Sequence, residues 1–310
     1  MADTTSSAIP HEISTYDLFH YIPNLPLAVV GTVVFGLFFL YLTARVYMTK
    51  SPRFLYILPG TAICECIGYA VRVQCHSKTT IPTYAVMTLF LLLPPNALAL
   101  VNYKCAGEII RLSNVEAKFF FLKPKFVTWF FFSSDVFAFL MQSTGGGMQS
   151  TGDPSLSSTG SAITLIGLAV QLLFFACFAF IAFYLHHSHK YNYHIDGQVS
   201  PKKHLSYCLY ITIVLLYIRS IYRIAEYATG YGGLIARLEW AFYVFDSLII
   251  LLCFISYSVL YIGNYLPKRG SEEHNGPGSS KRLTSSSSND DTITSHTEKG
   301  ENIILYNLNK

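Results

Sequence analysis

Charged residues are scarce in this sequence: Asp, Glu, Lys and Arg together make up only 13% of its 310 residues, whereas hydrophobic residues make up 52%. A soluble domain of this size needs more charge on its surface, so the composition excludes an ordinary soluble protein and is typical of a chain that crosses a membrane several times. The small net charge of +4 suggests contact with anionic inner-leaflet lipid and excludes nucleic acid as the expected partner.

Several motifs of known membrane proteins are also missing. The sequence contains no GxxxxGK[ST] phosphate loop, so we do not expect it to hydrolyse ATP. All ten histidines lie outside the long apolar stretches, which disfavours a zinc hydrolase, and the last stretch, residues 236–262, contains no lysine for a retinal Schiff base. We therefore predict a protein that is not an enzyme and that binds no metal or cofactor.

Seven apolar stretches are present, each with about the 17 to 25 residues that cross a bilayer core of about 30 Å. They lie at residues 26–47, 54–74, 84–103, 126–142, 161–185, 205–226 and 236–262. They predict an all-α polytopic membrane protein with a seven-transmembrane-helix bundle over residues 26–267. Residues 1–25 are expected to be an extracellular N-terminal segment, and residues 268–310 a disordered Ser-rich cytoplasmic tail.

Lysine and arginine are distributed unequally between the two ends of these stretches. The connections on one side carry almost all of them, whereas those on the other side carry only Lys78 and Arg237. The positive-inside rule therefore predicts that the N-terminus lies outside and the C-terminus inside. Residues 1–25 contain no Lys or Arg and lack a signal-peptide cleavage site, so the first stretch is expected to be an uncleaved anchor.

Polar and ionisable residues stand inside the apolar stretches at spacings that place each set on one helix face. They are Glu65, Tyr69 and Arg72; Asp135 and Gln142; Gln171; Arg219, Arg223 and Glu226; and Glu239, Tyr243 and Asp246. A charged side chain in hydrocarbon costs at least about 2.5 to 3.5 kcal/mol, so we predict that these residues face the inside of the bundle as a substrate pathway. Structural ion pairs between helices are the alternative.

The acids in this set outnumber the arginines, so the pathway is expected to attract a cationic amphiphile. We predict that Asp135, near mid-membrane, and Glu226, near the outer end of its span, form the acidic part of the path. Because an unpaired buried charge is costlier than a paired one, Arg219 or Arg223 is expected to pair with an acid. The candidate partners are Asp246, Glu239 and Glu65.

Prolines and glycines predict irregular backbone at several places. Pro94-Pro95-Asn96 should bend or break the third span and expose backbone carbonyls. We expect residues 145–160, which begin with Gly145-Gly146-Gly147, to form a Ser/Gly-rich outer loop. We expect Lys104–Lys125 to lie along the inner membrane surface. Gly68 should allow close approach of another backbone. Gly230–Gly233 is expected to be the turn before the last span.

These residues resemble the fungal RTA-like family of lipid-translocating exporters, over about residues 21–267. The likeness rests on Glu65-x-x-Gly68-Tyr69-x-x-Arg72, on Pro94 with Tyr103, on Asp135 with Gln142 and the three glycines, and on Gly167-Leu168-x-x-Gln171; it is strongest in Arg219-Ser-Ile-Tyr222-Arg223-Ile-Ala-Glu226, Gly230, Glu239 and Asp246. Where the family often has His-Pro-Gly after the last helix, this chain has Tyr261-Ile262-Gly263.

The resemblance implies a multi-pass plasma-membrane protein that exports or flips amphipathic lipids, such as sphingoid long-chain bases and amino sterols, and gives resistance to them. Two alternatives stay open: a seven-span lipid-sensing receptor or regulator without transport activity, and porphyrin or heme-type transport. Against a receptor, the chain lacks an Asp-Arg-Tyr triplet after the third span and an Asn-Pro-x-x-Tyr in the seventh.

Overall fold

The computed structural model describes residues 23–77, 79–113, 123–149, 154–191, 201–229, 233, 235 and 237–267. Seven helices of membrane-spanning length occur there: α1 (Leu25–Met48), α2 (Ile57–Cys75), α3 (Ile81–Leu112), α4 (Pro124–Gln149), α5 (Pro154–His187), α6 (Pro201–Ala228) and α7 (Glu239–Val259). Short 3-10 helices lie at Arg53–Tyr56, His189–Tyr191 and Ile262–Tyr265, and these described residues contain no strand. The predicted all-α bundle of seven spans is confirmed, and its orientation stays a prediction.

Parts of the predicted organisation lie outside the described residues. These are the tail at 268–310, nearly all of the N-terminal segment at 1–25, and most of the Gly230–Gly233 turn. The predicted interfacial segment from Lys104 is wrong over its first part, because α3 continues as a helix to Leu112. Residues 114–122 of that segment lie outside the described part of the chain.

The expected outer loop at residues 145–160 is also wrong where it is described, because α4 runs to Gln149 and α5 starts at Pro154. Two glycines there, Gly145 and Gly160, serve helix packing. A Cβ on Gly145 would lie 2.4 Å from the carbonyl oxygen of Gly160, closer than any real contact. Small residues allow such close backbone approach in membrane bundles, so Gly145 and Gly160 join α4 and α5 tightly.

Each helix packs against the next along the chain, α3 also contacts α6, and α7 contacts α1. At that last contact Phe35 and Phe38 of α1 lie with ring centres 5.9 and 5.8 Å from the ring of Phe254. The opposite face of α1 carries exposed apolar side chains such as Val33 and Leu37. The helix α1 therefore packs against α7 and presents apolar side chains on its exposed surface.

The segment after α7 is fixed to the turn between α1 and α2. The Tyr261 hydroxyl lies 3.0 Å from Ser51 Oγ, and the Arg45 guanidinium lies 4.8 Å from the centre of the Tyr261 ring. A Cβ on Gly263 would lie 2.2 Å from Ser51 Oγ, so this position has no room for a side chain. The tyrosine and glycine of Tyr261-Ile262-Gly263 thus each have a packing role in this chain.

Candidate functional site

Two arginines of α6 converge on one carboxylate of α7. Arg219 Nε lies 2.6 Å from Asp246 Oδ1, and Arg223 Nη2 lies 2.8 Å from Asp246 Oδ2. Arg223 also pairs with Glu226, one turn further along α6, at 3.0 Å. The arginines and Asp246 are buried, and a buried charge is tolerated only when it is paired in this way. The prediction that these arginines pair with an acid is confirmed for Asp246.

A second ion pair extends this cluster to α2. Arg72 Nη2 lies 3.2 Å from Glu239 Oε1, and Glu239 also accepts a hydrogen bond of 2.7 Å from the backbone N–H of Asn24, which precedes α1. The ring of Phe242 connects the two pairs, since its centre lies 4.5 Å from the Arg72 guanidinium and 5.8 Å from that of Arg223. We call this cluster the ion-paired network. Its members are Arg72, Arg219, Arg223, Glu226, Glu239 and Asp246.

The geometry of the network depends on a break in the helical regularity of α7. Tyr243–Ser247 forms one π-helical turn between two α-helical parts. Tyr243 OH accepts a hydrogen bond of 3.2 Å from Arg72 Nε, and the Tyr69 hydroxyl is hydrogen-bonded to Ser247 Oγ. Single π-turns are rare and are frequent at functional sites. The predicted i, i+4, i+7 stripe assumed a regular helix, and nothing in the sequence indicated this turn.

Gly68 on α2 and the prolines of α3, two features singled out in the sequence, lie next to the network. A Cβ on Gly68 would lie 2.7 Å from Leu91 Cδ2 and 3.5 Å from the backbone nitrogen of Leu91, so the backbone of α3 comes into contact distance at Gly68, as predicted. Pro95 has no N–H to bond the Leu91 carbonyl, four residues earlier. Arg219 Nη2 donates to that carbonyl at 3.5 Å. The prolines therefore leave α3 unbroken and expose a carbonyl that an arginine of the network contacts.

Glu65 lies on the same side of α2 as Tyr69 and Arg72. Its side chain is buried, and it interacts electrostatically with Asp246, Arg219 and Arg223. It therefore adds a third carboxyl to the surroundings of the two α6 arginines.

Asp135 on α4 has different surroundings. Its Oδ2 accepts a hydrogen bond of 2.7 Å from Tyr103 OH on α3, and the residue is only 2% exposed. Among the described residues, its Oδ1 has no hydrogen-bond partner and neither oxygen has an ion-pair partner. The rings of Phe131 and Phe178 lie with centres 5.6 and 4.6 Å from the Tyr103 ring. Asp135 is thus a buried carboxyl in aromatic surroundings without a fixed cation.

A chain of amides lies further along the same face of α4. Gln142 Nε2 donates to Gln171 Oε1 at 2.8 Å, and Gln171 Nε2 donates to Asn96 Oδ1 at 2.5 Å. Asn96 Nδ2 in turn donates to the Leu92 carbonyl at 3.4 Å. The sequence interpretation missed Asn96, because it treated the residue only as part of a proline break. We call this set the polar track. Its members are Asn96, Tyr103, Asp135, Gln142 and Gln171.

The predicted pathway residues therefore divide between two places. Asp135, Gln142 and Gln171 belong to the polar track between α3, α4 and α5. The remaining ones form or adjoin the ion-paired network: Glu65, Tyr69, Arg72, Arg219, Arg223, Glu226, Glu239, Tyr243 and Asp246. Within the part of the chain that the structure describes, no three His, Cys, Asp or Glu side chains are arranged to hold a metal ion.

Three named relatives are similar to most of this chain. Protein RTA1 of Saccharomyces cerevisiae is 30% identical over 274 residues, which cover 79% of this chain and 85% of that protein. Protoporphyrin uptake protein 1 of the same species is 31% identical, with 65% and 67% coverage. The sphingoid long-chain base transporter RSB1, also of that species, is 22% identical, with 78% and 72% coverage.

No solved structure matches the chain. The family model described as RTA1 like protein matches residues 58–269, which include six of the seven helices and both sets of polar residues. The chain thus belongs to the RTA1-like protein family.

Proposed function

We propose that this protein transports amphipathic lipids with a cationic amine, such as sphingoid long-chain bases and amino sterols, between the leaflets of the plasma membrane and so gives resistance to them. Membership of the RTA1-like family supports transport over catalysis, as do relatives named as a transporter and an uptake protein. The choice of a cationic amine as the substrate group rests on Asp135, a buried carboxyl without an arginine or lysine beside it in the described structure.

The two acids that we expected along the path differ in how available they are. Glu226 is already paired with Arg223 at 3.0 Å, so an amine that bound there would have to displace a guanidinium. Breaking a buried ion pair costs about 3 to 5 kcal/mol. Among the described residues, the Asp135 carboxyl is hydrogen-bonded only to the neutral phenol of Tyr103. We therefore propose that Asp135 binds the lipid amine and that Glu226 has a structural role in the ion-paired network.

The surroundings of Asp135 suit an ammonium group in a second way. Tyr103 contacts the carboxyl through its hydroxyl, and the rings of Phe131 and Phe178 pack against the Tyr103 ring. An ammonium over such rings gains about 0.5 to 2 kcal/mol, more when it is out of water. A lipid amine that leaves the aqueous headgroup region is partly compensated by the rings and by the carboxylate together.

The experiment is lipid transport by the purified protein in vesicles, with and without a pH gradient. The panel contains a sphingoid base, its N-acylated neutral analogue and protoporphyrin. We expect the free base to move faster than in protein-free vesicles and the N-acylated lipid to stay at background, because it carries no amine charge. Equal rates with and without protein would overturn the proposal and favour the receptor or regulator alternative.

Porphyrin transport is the second candidate, because the relative named protoporphyrin uptake protein 1 is more similar to this chain than the sphingoid base transporter, at 31% against 22% identity. A porphyrin carries carboxylates and would need a cationic side chain. Each of the three arginines of the network is already ion-paired with an acid. Protoporphyrin movement in the vesicle panel without movement of the base would favour this candidate.

A further inference from the structure

A small cleft opens between α3, α4 and α6, beside the end of the polar track. Its volume is about 120 Å³, which is roughly four water molecules at about 30 Å³ each. Its polar lining is formed by Tyr84, Thr88, Gln142, Ser143, Gln149 and Tyr227. Gln142 belongs to the polar track, and Tyr227 follows Glu226 in the chain. The cleft therefore adjoins the polar track through Gln142 and reaches the residue next to Glu226 on α6.

Two glycines of α4 create the space. No described residue outside the neighbouring backbone of α4 has an atom within 4 Å of the position that a Cβ would take on Gly146 or Gly147, and both glycines line the cleft. The neighbouring Gly145 is packed against Gly160. The three consecutive glycines thus have two roles: the first brings α5 close, and the next two leave a hollow. The rim includes Leu89, which is 40% exposed, so the hollow opens beside an apolar surface.

The described walls of the cleft offer hydrogen bonds, and none of their residues is charged. The amide nitrogens of Gln142 and Gln149 donate to Gln171 and Thr164, at 2.8 and 3.4 Å. Their amide oxygens are thereby left as acceptors in the described structure. Ser143 Oγ is buried and has no hydrogen-bond partner among the described residues. An unsatisfied buried hydroxyl costs about 1 to 3 kcal/mol, and a ligand with a hydroxyl or amine would satisfy it once the Ser143 side chain turns towards the cleft.

We propose that this cleft is a headgroup site for an unphosphorylated amino-alcohol lipid, whose hydrocarbon chain stays outside along the exposed apolar rim. This inference rests on the proposed lipid transport and defines its substrate class. The amide oxygens accept hydrogen bonds from the ammonium and hydroxyl groups of such a lipid. A phosphorylated headgroup is disfavoured, because the described lining residues include no lysine or arginine to neutralise it.

Size and position agree with this assignment. Ligand pockets that enclose a drug-sized molecule measure about 300 to 1,000 Å³, so the cleft holds a headgroup of a few atoms and excludes a porphyrin. Ser143 follows Asp135 by eight residues on α4, or about 12 Å at about 1.5 Å per residue. An amine at the cleft is therefore one short step along the helix from the buried carboxyl.

The test fills the hollow and measures binding. Gly146→Leu places a side chain in the cleft, and Gly60→Leu is the matched control, because the Cβ position of Gly60 on α2 also has no atom within 4 Å. Purified full-length protein in lipid nanodiscs is titrated with a fluorescent sphingoid base and with its phosphate ester. We expect Gly146→Leu to raise the Kd for the base at least about tenfold and Gly60→Leu to leave it unchanged, with the phosphate ester binding the unsubstituted protein at least about tenfold more weakly.

Ser143→Ala tests the same site by removing a hydroxyl and adds no volume to the cleft. We expect it to raise the Kd for the base by about three- to tenfold, because one hydrogen bond is lost. An unchanged Kd in both Gly146→Leu and Ser143→Ala would overturn the headgroup site, as would equal binding of the phosphate ester. If vesicle transport of the base persists in that case, the proposed function stands and only the site fails. If the unsubstituted protein neither binds nor moves the base, the proposed function fails as well.

Discussion

The ion-paired network and the polar track are both buried between helices, yet they treat charge differently. In the network every arginine has an acid within 3.2 Å. In the track the single acid, Asp135, is bonded to a phenol, and the other members are linked by amide hydrogen bonds. Each charged side chain of the network therefore has an oppositely charged partner, whereas the track retains a carboxyl that a cationic ligand can neutralise.

We propose that this difference distinguishes the residues that stabilise the bundle from the residues that form the substrate pathway. A buried charge that already has its partner resists any ligand, because the ligand must first break the pair. A buried carboxyl without a cation is costly in itself, and such residues in membranes are retained where they meet a substrate or a proton. On this proposal the charged residues of α6 and α7 stabilise the bundle, and the polar track between α3, α4 and α5 contacts the substrate.

The largest effect is expected from removing the central arginine of the network. Arg223→Ala leaves the carboxylates of Asp246 and Glu226 without their shared partner, which should destabilise the fold by about 3 to 5 kcal/mol. We expect a strong loss of folded protein, measured as monodisperse yield and thermal unfolding in detergent. Glu226→Gln in the same chain should restore part of the yield, because Asp246 still pairs with Arg219 and Glu226 is the acid that loses its partner.

Arg111→Ala is the control for that change, since Arg111 pairs with Glu108 on the same helix and its side chain is 48% exposed. An exposed pair contributes only about 0 to 1 kcal/mol, so yield should hardly change. Normal yield and unfolding temperature in Arg223→Ala would contradict the scaffold role of the network.

The second effect concerns the contact between α4 and α5, which is held by close helix packing and not by ion pairs. Gly145→Ala places a Cβ 2.4 Å from the Gly160 carbonyl oxygen, and such overpacking costs about 1 to 3 kcal/mol. Gly147→Ala, two residues later, meets no atom within 4 Å and should change stability by no more than about 0.5 kcal/mol. Equal thermal unfolding temperatures of the two variants would show that α4 and α5 are not held by this contact.

The smallest effect concerns the π-turn of α7. Tyr69→Phe removes the hydrogen bond to Ser247 and should cost about 0.5 to 1.5 kcal/mol. Ser247→Ala should cost a similar amount, and the double variant should cost less than the sum, because both remove the same bond. Additive changes in unfolding free energy would mean that the two hydroxyls do not act as a pair.

Much of the architecture could be predicted because the bilayer imposes it. The length of the apolar runs determined the seven spans, and the cost of buried charge predicted the pairing of Arg219 and Arg223 with an acid. The π-turn at Tyr243–Ser247 could not be predicted, since it depends on how α7 meets α2 and α6. Gly145 was read as part of a loop because small residues look alike in turns and in helix contacts, and only the neighbouring helix distinguishes them.

The division of the polar residues into two sets was likewise beyond the sequence. Helical spacing gives the face of one helix and not the helix that it meets, so Asp135 and Glu226 were combined in one path. The hydrogen bond from Tyr103 to Asp135 and the pair of Glu226 with Arg223 separate them. Asn96 was missed for the same reason, because its importance comes from Gln171 on a neighbouring helix.

The most direct test of this account compares Asp135→Asn with Glu226→Gln in reconstituted vesicles at equal amounts of folded protein. Each change removes one carboxyl charge and keeps size and hydrogen bonding. We expect Asp135→Asn to lower the initial rate of sphingoid base transport at least about tenfold, because the amine loses its counter-charge, while Glu226→Gln transports at a rate close to that of the unsubstituted protein. An unchanged rate in Asp135→Asn, or an equal loss in both variants, would contradict the division into scaffold and pathway.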